Sequence, residues 1–140
     1  MGKITDENRR ILSESSDYDP AILLDPDPSF AYELNSLITS KKIRVQTIVE
    51  ATGISKSYIN DLRNLKSAPR QPSRKAVLNI GLALNASLDE MNTLLKTSNH
   101  RELYARSSTD AFIIWGMMHK LSGKQIRSKL DEMEAKKEQS

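Results

Sequence analysis

Short apolar segments recur along this 140-residue chain, and a serine stands in front of nearly every one. Ser55, Ser73, Ser87, Ser107 or Ser108, and Ser122 each precede a run whose apolar residues fall at three- and four-residue spacing. A serine in extended conformation accepts a hydrogen bond from a backbone N–H of the first helical turn, so serine at these places opens helices. At Ser87 and Ser122 the signal is doubled, because Glu90 and Gln125 lie three residues on and complete a capping box. No segment shows the strict alternation of a half-buried strand, and no long repeat is present. The chain is therefore predicted to be all-α.

The helices can be placed from their apolar faces. Asp27 as N-cap with Pro28 in the first helical position opens a helix that buries Phe30, Leu34, Leu37 and Ile38. A second helix spans about Val45 to Thr52, with Ile48 and Val49 inward, and Gly53 after it permits a positive φ and a tight reversal. Ser55 then caps a third, running to about Leu65 with Ile59 and Leu62 inward. Ser73 caps a fourth over about Arg74 to Asn85, with Val77, Ile80 and Leu84 inward and Gly81 as a close-packing point. The fifth follows Ser87 and buries Met91, Leu94 and Leu95. Two more helices follow, one through Phe112–Met118 and one striped by Ile126, Leu130 and Met133. Three regions result: an acidic, partly irregular leader over 1–28, a compact helical unit over 29–96, and a C-terminal helical extension over 97–140. Within the leader a short helix is expected at Thr5–Ser13. A turn-rich stretch carrying the apolar patch Ala21–Leu24 comes after it.

The net charge of +3 conceals a strong asymmetry. Residues 41–75 hold nine bases and two acids, a net +7, whereas residues 1–28 hold three bases and seven acids, a net −4. A concentrated positive field suits a polyanion. Enzyme chemistry finds little footing. There is no cysteine, the two histidines (His100 and His119) lack metal-ligand spacing, and the glycines form no phosphate-binding loop. No enzyme activity, cofactor, metal or small-molecule ligand is expected. The longest apolar run, Ala111–Met118, is too short to span a membrane, and no signal-peptide pattern opens the chain, so a cytoplasmic protein is expected.

The segment Arg44–Leu62 falls within the basic quarter. Its apolar positions have the spacing of two short helices crossing over one core, which frees the outer face of the second for a major groove. Here the sequence resembles the phage-repressor, or XRE-like, helix-turn-helix regulators. The resemblance rests on Ile48-Val49, Thr52-Gly53-Ile54-Ser55, Ile59, Leu62, Asn64, Ile80-Gly81, Ala83-Leu84-Asn85-Ala86-Ser87 and Leu94-Leu95. It covers roughly residues 30–96. It implies a five-helix lambda-repressor-like helix-turn-helix domain, here with a C-terminal helical hairpin. It also implies a transcriptional regulator, most simply a repressor, that reads double-stranded DNA as a homodimer through its third helix, about Ser55–Leu65. Carried over by position, Lys56, Ser57, Tyr58, Asn60 and Asp61 would meet base edges. Arg44, Gln46, Ser55, Asn64, Lys66, Arg70, Arg74 and Lys75 would meet phosphates. The sequence departs from the family pattern in three places. Val45 stands where glutamine is common, Arg44 replaces a small N-cap, and the loop after the third helix is about four residues longer.

The helix through Phe112–Met118 is apolar on more than one face. Phe112, Trp115, Met118, Ile126 and Leu130 are accordingly candidates for a dimer interface. The alternative function is an antitoxin-like or other protein-interaction module that uses this apolar surface.

Overall fold

The computed structural model describes residues 2–14, 29–65 and 71–139. The turn-rich stretch of the leader and the loop residues Lys66 and Arg70 lie outside the described residues. Among the described residues there are eight helices and no strand. They are α1 (Gly2–Glu14), α2 (Phe30–Lys41), α3 (Val45–Thr52), α4 (Lys56–Leu62), α5 (Arg74–Ala83), α6 (Leu88–Thr97), α7 (Ser108–Met118) and α8 (Gly123–Gln139). None of them is long and apolar enough to cross a membrane.

The serine punctuation holds with one shift. Ser55, Ser73 and Ser87 are N-caps whose hydroxyls accept from Tyr58, Ala76 and Glu90 N–H respectively. Both capping boxes form: Glu90 Oε1 accepts from Ser87 N at 2.8 Å, and Gln125 Oε1 accepts from Ser122 N at 2.8 Å. Ser107 is the N-cap of α7, without a side-chain cap bond. At the start of α2, however, the N-cap is Ser29, whose hydroxyl accepts from Tyr32 N, and not Asp27. Ser29 offers the same capping oxygen two residues later, so the helix begins at Phe30.

α5 is the centre of the molecule and packs against α3, α6 and α8. Its Val77, Ile80 and the following Leu84 are fully buried. One apolar cluster joins them to Leu34 of α2, Ile48 of α3, Ile59 of α4, Met91 and Leu94 of α6, Ile113 of α7 and Ile126 of α8. The helices after residue 97 thus share the core of those before it. Ile126 is 1% exposed and Leu130 5%. This corrects their assignment to a dimer interface: both are spent on packing within the chain, and neither presents a side chain to a partner.

Two contacts fix the C-terminal helices on α5. Gly123 sits so close to α5 that a Cβ there would lie 1.7 Å from the Leu82 carbonyl oxygen. Its N–H is held by Asn85 Oδ1 at 2.8 Å, and Asn85 itself adopts a left-handed φ of 56°. The second contact is the ion pair between Arg74 and buried Asp110. Arg74 Nη1 and Nη2 donate to the two carboxylate oxygens at 3.0 and 2.7 Å, and Tyr104 N–H donates to the same group at 2.9 Å. Arg74 Nη2 also donates to the Arg101 and Glu102 carbonyl oxygens. This corrects the reading of Arg74 as a phosphate ligand, since its guanidinium is already occupied inside the fold. Burial alone would raise the Asp110 pKa, but the Arg74 and Tyr104 hydrogen bonds and the guanidinium charge outweigh it and hold the carboxyl below its ordinary value. Glu90 moves the same way: partial burial opposes, while the Ser87 N–H and Lys41 prevail.

Gly123→Ala should destabilise the chain by about 1–3 kcal/mol, because the added methyl meets backbone, not a yielding side chain. Chemical denaturation measures it. Asp110 and Glu90, with lowered folded-state values, stabilise the fold above the ordinary carboxylate range. That contribution is lost as pH falls below about 4. Asp110→Asn should therefore lower the thermal midpoint near neutrality and leave a shallower further fall between about pH 5 and 3 than in the parent chain.

Candidate nucleic-acid interface

α3 and α4 are joined by a three-residue turn, Gly53–Ser55, held at each step by a specific bond. Thr52 Oγ1 donates to the Ile48 carbonyl oxygen at 2.7 Å and accepts from Ile54 N–H at 3.1 Å. Gly53 has φ 73° and donates its N–H to the Val49 carbonyl oxygen at 2.9 Å. No atom lies within 4 Å of a Cβ built on Gly53, so glycine serves the backbone conformation here and not a close approach. Ser55 Oγ then accepts from Tyr58 N–H at 3.1 Å and starts α4.

Successive residues of a helix turn by about 100°. In α4, Ile59 and Leu62 point inward, at 0% and 3% exposure. Lys56, Ser57, Asn60 and Asp61 occupy the opposite arc of about 140° and are all exposed. Tyr58 lies between the two faces, half-buried and packed against the core. Four of the five residues expected to meet bases therefore share one solvent face, and the fifth is its edge. The far end of α4 is pinned to α2. Arg63 Nε donates to Asn35 Oδ1 at 2.7 Å, while Asn35 Nδ2 donates to the Arg63 carbonyl oxygen at 2.9 Å. Nothing in the sequence pointed to Asn35, which is 28 residues away and belongs to no motif.

The basic quarter divides once its partners are seen. Lys41 pairs with Glu90 at 3.0 Å, Arg63 is taken by Asn35, and Arg74 by Asp110. Lys42, Arg44, Lys56 and Lys75 are exposed and form no ion pair among the described residues. Arg44 is the N-cap of α3 and makes no side-chain cap bond. Gln46 is exposed and donates to Glu50 Oε1 at 3.4 Å. Asn64 is exposed just beyond α4. Asp61 forms no ion pair with Arg63.

A second exposed feature lies on α7. Trp115 is 49% exposed and Met118 68%. Phe112 stacks on Trp115 at 5.8 Å between centroids, and His119 stacks on the same indole at 4.5 Å. Ile113 and Gly116 occupy the inner side, where a Cβ on Gly116 would lie 2.8 Å from Ile126.

No protein-family model matches this chain, and neither a curated protein nor a solved structure matches it.

Proposed function

We propose that this chain is a sequence-specific double-stranded DNA-binding regulator, with α2–α6 as a lambda-repressor-like helix-turn-helix unit and α4 as the helix that enters the major groove. The observation that carries the reading is the division of α4. Ile59 and Leu62 anchor it, while Lys56, Ser57, Asn60 and Asp61 form one exposed polar face on a helix secured at both ends. The major groove is about 12 Å wide and accepts one helix. Lysine donates to guanine O6 or N7, asparagine pairs with adenine, and aspartate accepts from cytosine N4. Exposed Arg44 and Lys75, at the starts of α3 and α5, are free for phosphates, which set register without reading sequence. A cytoplasmic repressor is the simplest such regulator, because occupancy of a site is enough to block it.

The reading includes a homodimer through α7, now confined to Phe112, Trp115 and Met118. The second reading, a protein-interaction module, is favoured by the same observation: two large apolar side chains on one helix stand in solvent.

Duplexes selected from a random library should bind with affinity that falls about a hundredfold or more between 50 and 200 mM salt. Lys56→Ala should relax the preference at a single base pair, by about 1–3 kcal/mol, while Lys75→Ala should weaken all duplexes alike. Light scattering tests the dimer. Trp115→Ala should shift the mass from two chains to one with helical content unchanged, whereas an intact dimer would remove α7 from the interface.

A further inference from the structure

Arg63 does more than close the far end of α4. It follows Leu62 directly and keeps helical backbone angles, φ −82° and ψ −10°. At about 100° per residue it points within about 20° of Lys56, at the edge of the exposed face. Lys56, Asn60 and Arg63 therefore stand in one stripe along the helix, at i, i+4 and i+7.

Only part of the Arg63 guanidinium is used inside the fold. Nε donates to Asn35 Oδ1 at 2.7 Å, and Asn35 Nδ2 donates back to the Arg63 carbonyl oxygen at 2.9 Å. The acceptor is an amide, so this bond orients the group and leaves its charge unspent. Arg63 forms no ion pair among the described residues. Neither Nη has a hydrogen-bond partner among them, and no buried side-chain nitrogen or oxygen there is left unpartnered, so both Nη atoms face solvent. The side chain is half-buried, unlike exposed Lys56 and Lys75. A guanidinium is planar, so fixing Nε fixes the fork that the two Nη atoms form, and less freedom is lost when that fork binds.

Reach decides what the fork can meet. Seven helical residues span about 10 Å, close to the roughly 12 Å width of a major groove. A residue at the end of α4 then stands at the groove wall, where the phosphates are. With Nε tethered to α2, the fork is held back from the base edges on the floor. Two N–H groups in one plane match two oxygens of a phosphate.

The geometry points to Arg63 as a ligand for a backbone phosphate at the wall of the groove, with Asn35 as its positioning residue. The inference rests on the reading of α4 given above and adds a contact to it. It also gives the amide at position 35 a reason: a carboxylate there would orient the fork equally well but neutralise it.

The test is binding of the full chain to a selected duplex, by salt titration and with single phosphates replaced in turn by uncharged methylphosphonate. Arg63→Gln removes the charge and keeps a side-chain donor for Asn35. It should weaken selected and unrelated duplexes alike, by about tenfold, and make the slope of log affinity against log salt shallower by about 1. One methylphosphonate should cost the parent chain a similar factor and cost Arg63→Gln nothing further. Asn35→Ala keeps the charge and loses its orientation, so affinity should fall at an unchanged slope. Arg63→Lys, which keeps the charge without the fork, should behave likewise. Circular dichroism verifies that each variant folds. Should Arg63→Gln not fold, Arg63→Lys carries the same comparison, and the critical methylphosphonate should cost it less than it costs the parent. An unchanged slope in folded Arg63→Gln, or a preference relaxed at a single base pair, overturns the phosphate assignment. Parent affinity in Asn35→Ala removes Asn35 as its positioning residue. If the parent chain retains no duplex, the reading of α4 falls and this contact with it. If the parent binds and every methylphosphonate costs Arg63→Gln as much as the parent, only this contact falls.

Discussion

The burial of α5 is the constraint on which the rest depends. Val77, Ile80 and Leu84 are withdrawn from solvent, and α3, α6 and α8 all pack on this one helix. Gly81 lets Met91 of α6 approach so closely that a Cβ would lie 2.4 Å from its sulfur, and Leu82 gives its carbonyl face to Gly123 of α8. Arg74, in the first turn, reaches across to Asp110. Cores at native density transmit small displacements, so the helix that supports α3 also senses α8. The C-terminal helices are therefore part of what holds α3 and α4 in place.

This arrangement explains how a seven-residue helix can be held in place with one face left open. α4 is too short to be stable alone, since isolated helices under about 12 residues are marginal in water. Its order is imposed by two anchors in the core, a serine cap at one end and the Asn35–Arg63 exchange at the other. All of these lie on the inner side or at the ends. The outer face is left with no structural task, and side chains there are free to be chosen for a partner.

Local chemistry was legible in the sequence, and long-range pairing was not. Ser55, Ser73, Ser87 and Ser122, the positive φ of Gly53 and the extent of α3 all follow from neighbours within four residues, where capping and helical periodicity act. The start of α2 differs from the expected one because Asp27 and Ser29 both offer capping oxygens, and the two residue types are near-equal caps. Arg74 looked like one more base in a basic quarter, because nothing local ties it to Asp110, 36 residues on. Ile126 and Leu130 read equally well as core or interface until α5 was seen to cover them. Gly123 gave no signal at all, since its reason is the backbone of another helix. The polar face of α4, by contrast, follows directly from the spacing of Ile59 and Leu62.

The most direct measurement is dimethyl sulfate footprinting of a duplex selected by the chain, because the reagent marks guanine N7 in the major groove and adenine N3 in the minor. Protection of guanine N7 within the selected site, lost at one guanine in Lys56→Ala, is the result expected if the exposed face of α4 reads the major groove. Protection confined to adenine N3, or retention of no duplex by a folded chain at low salt, would contradict it.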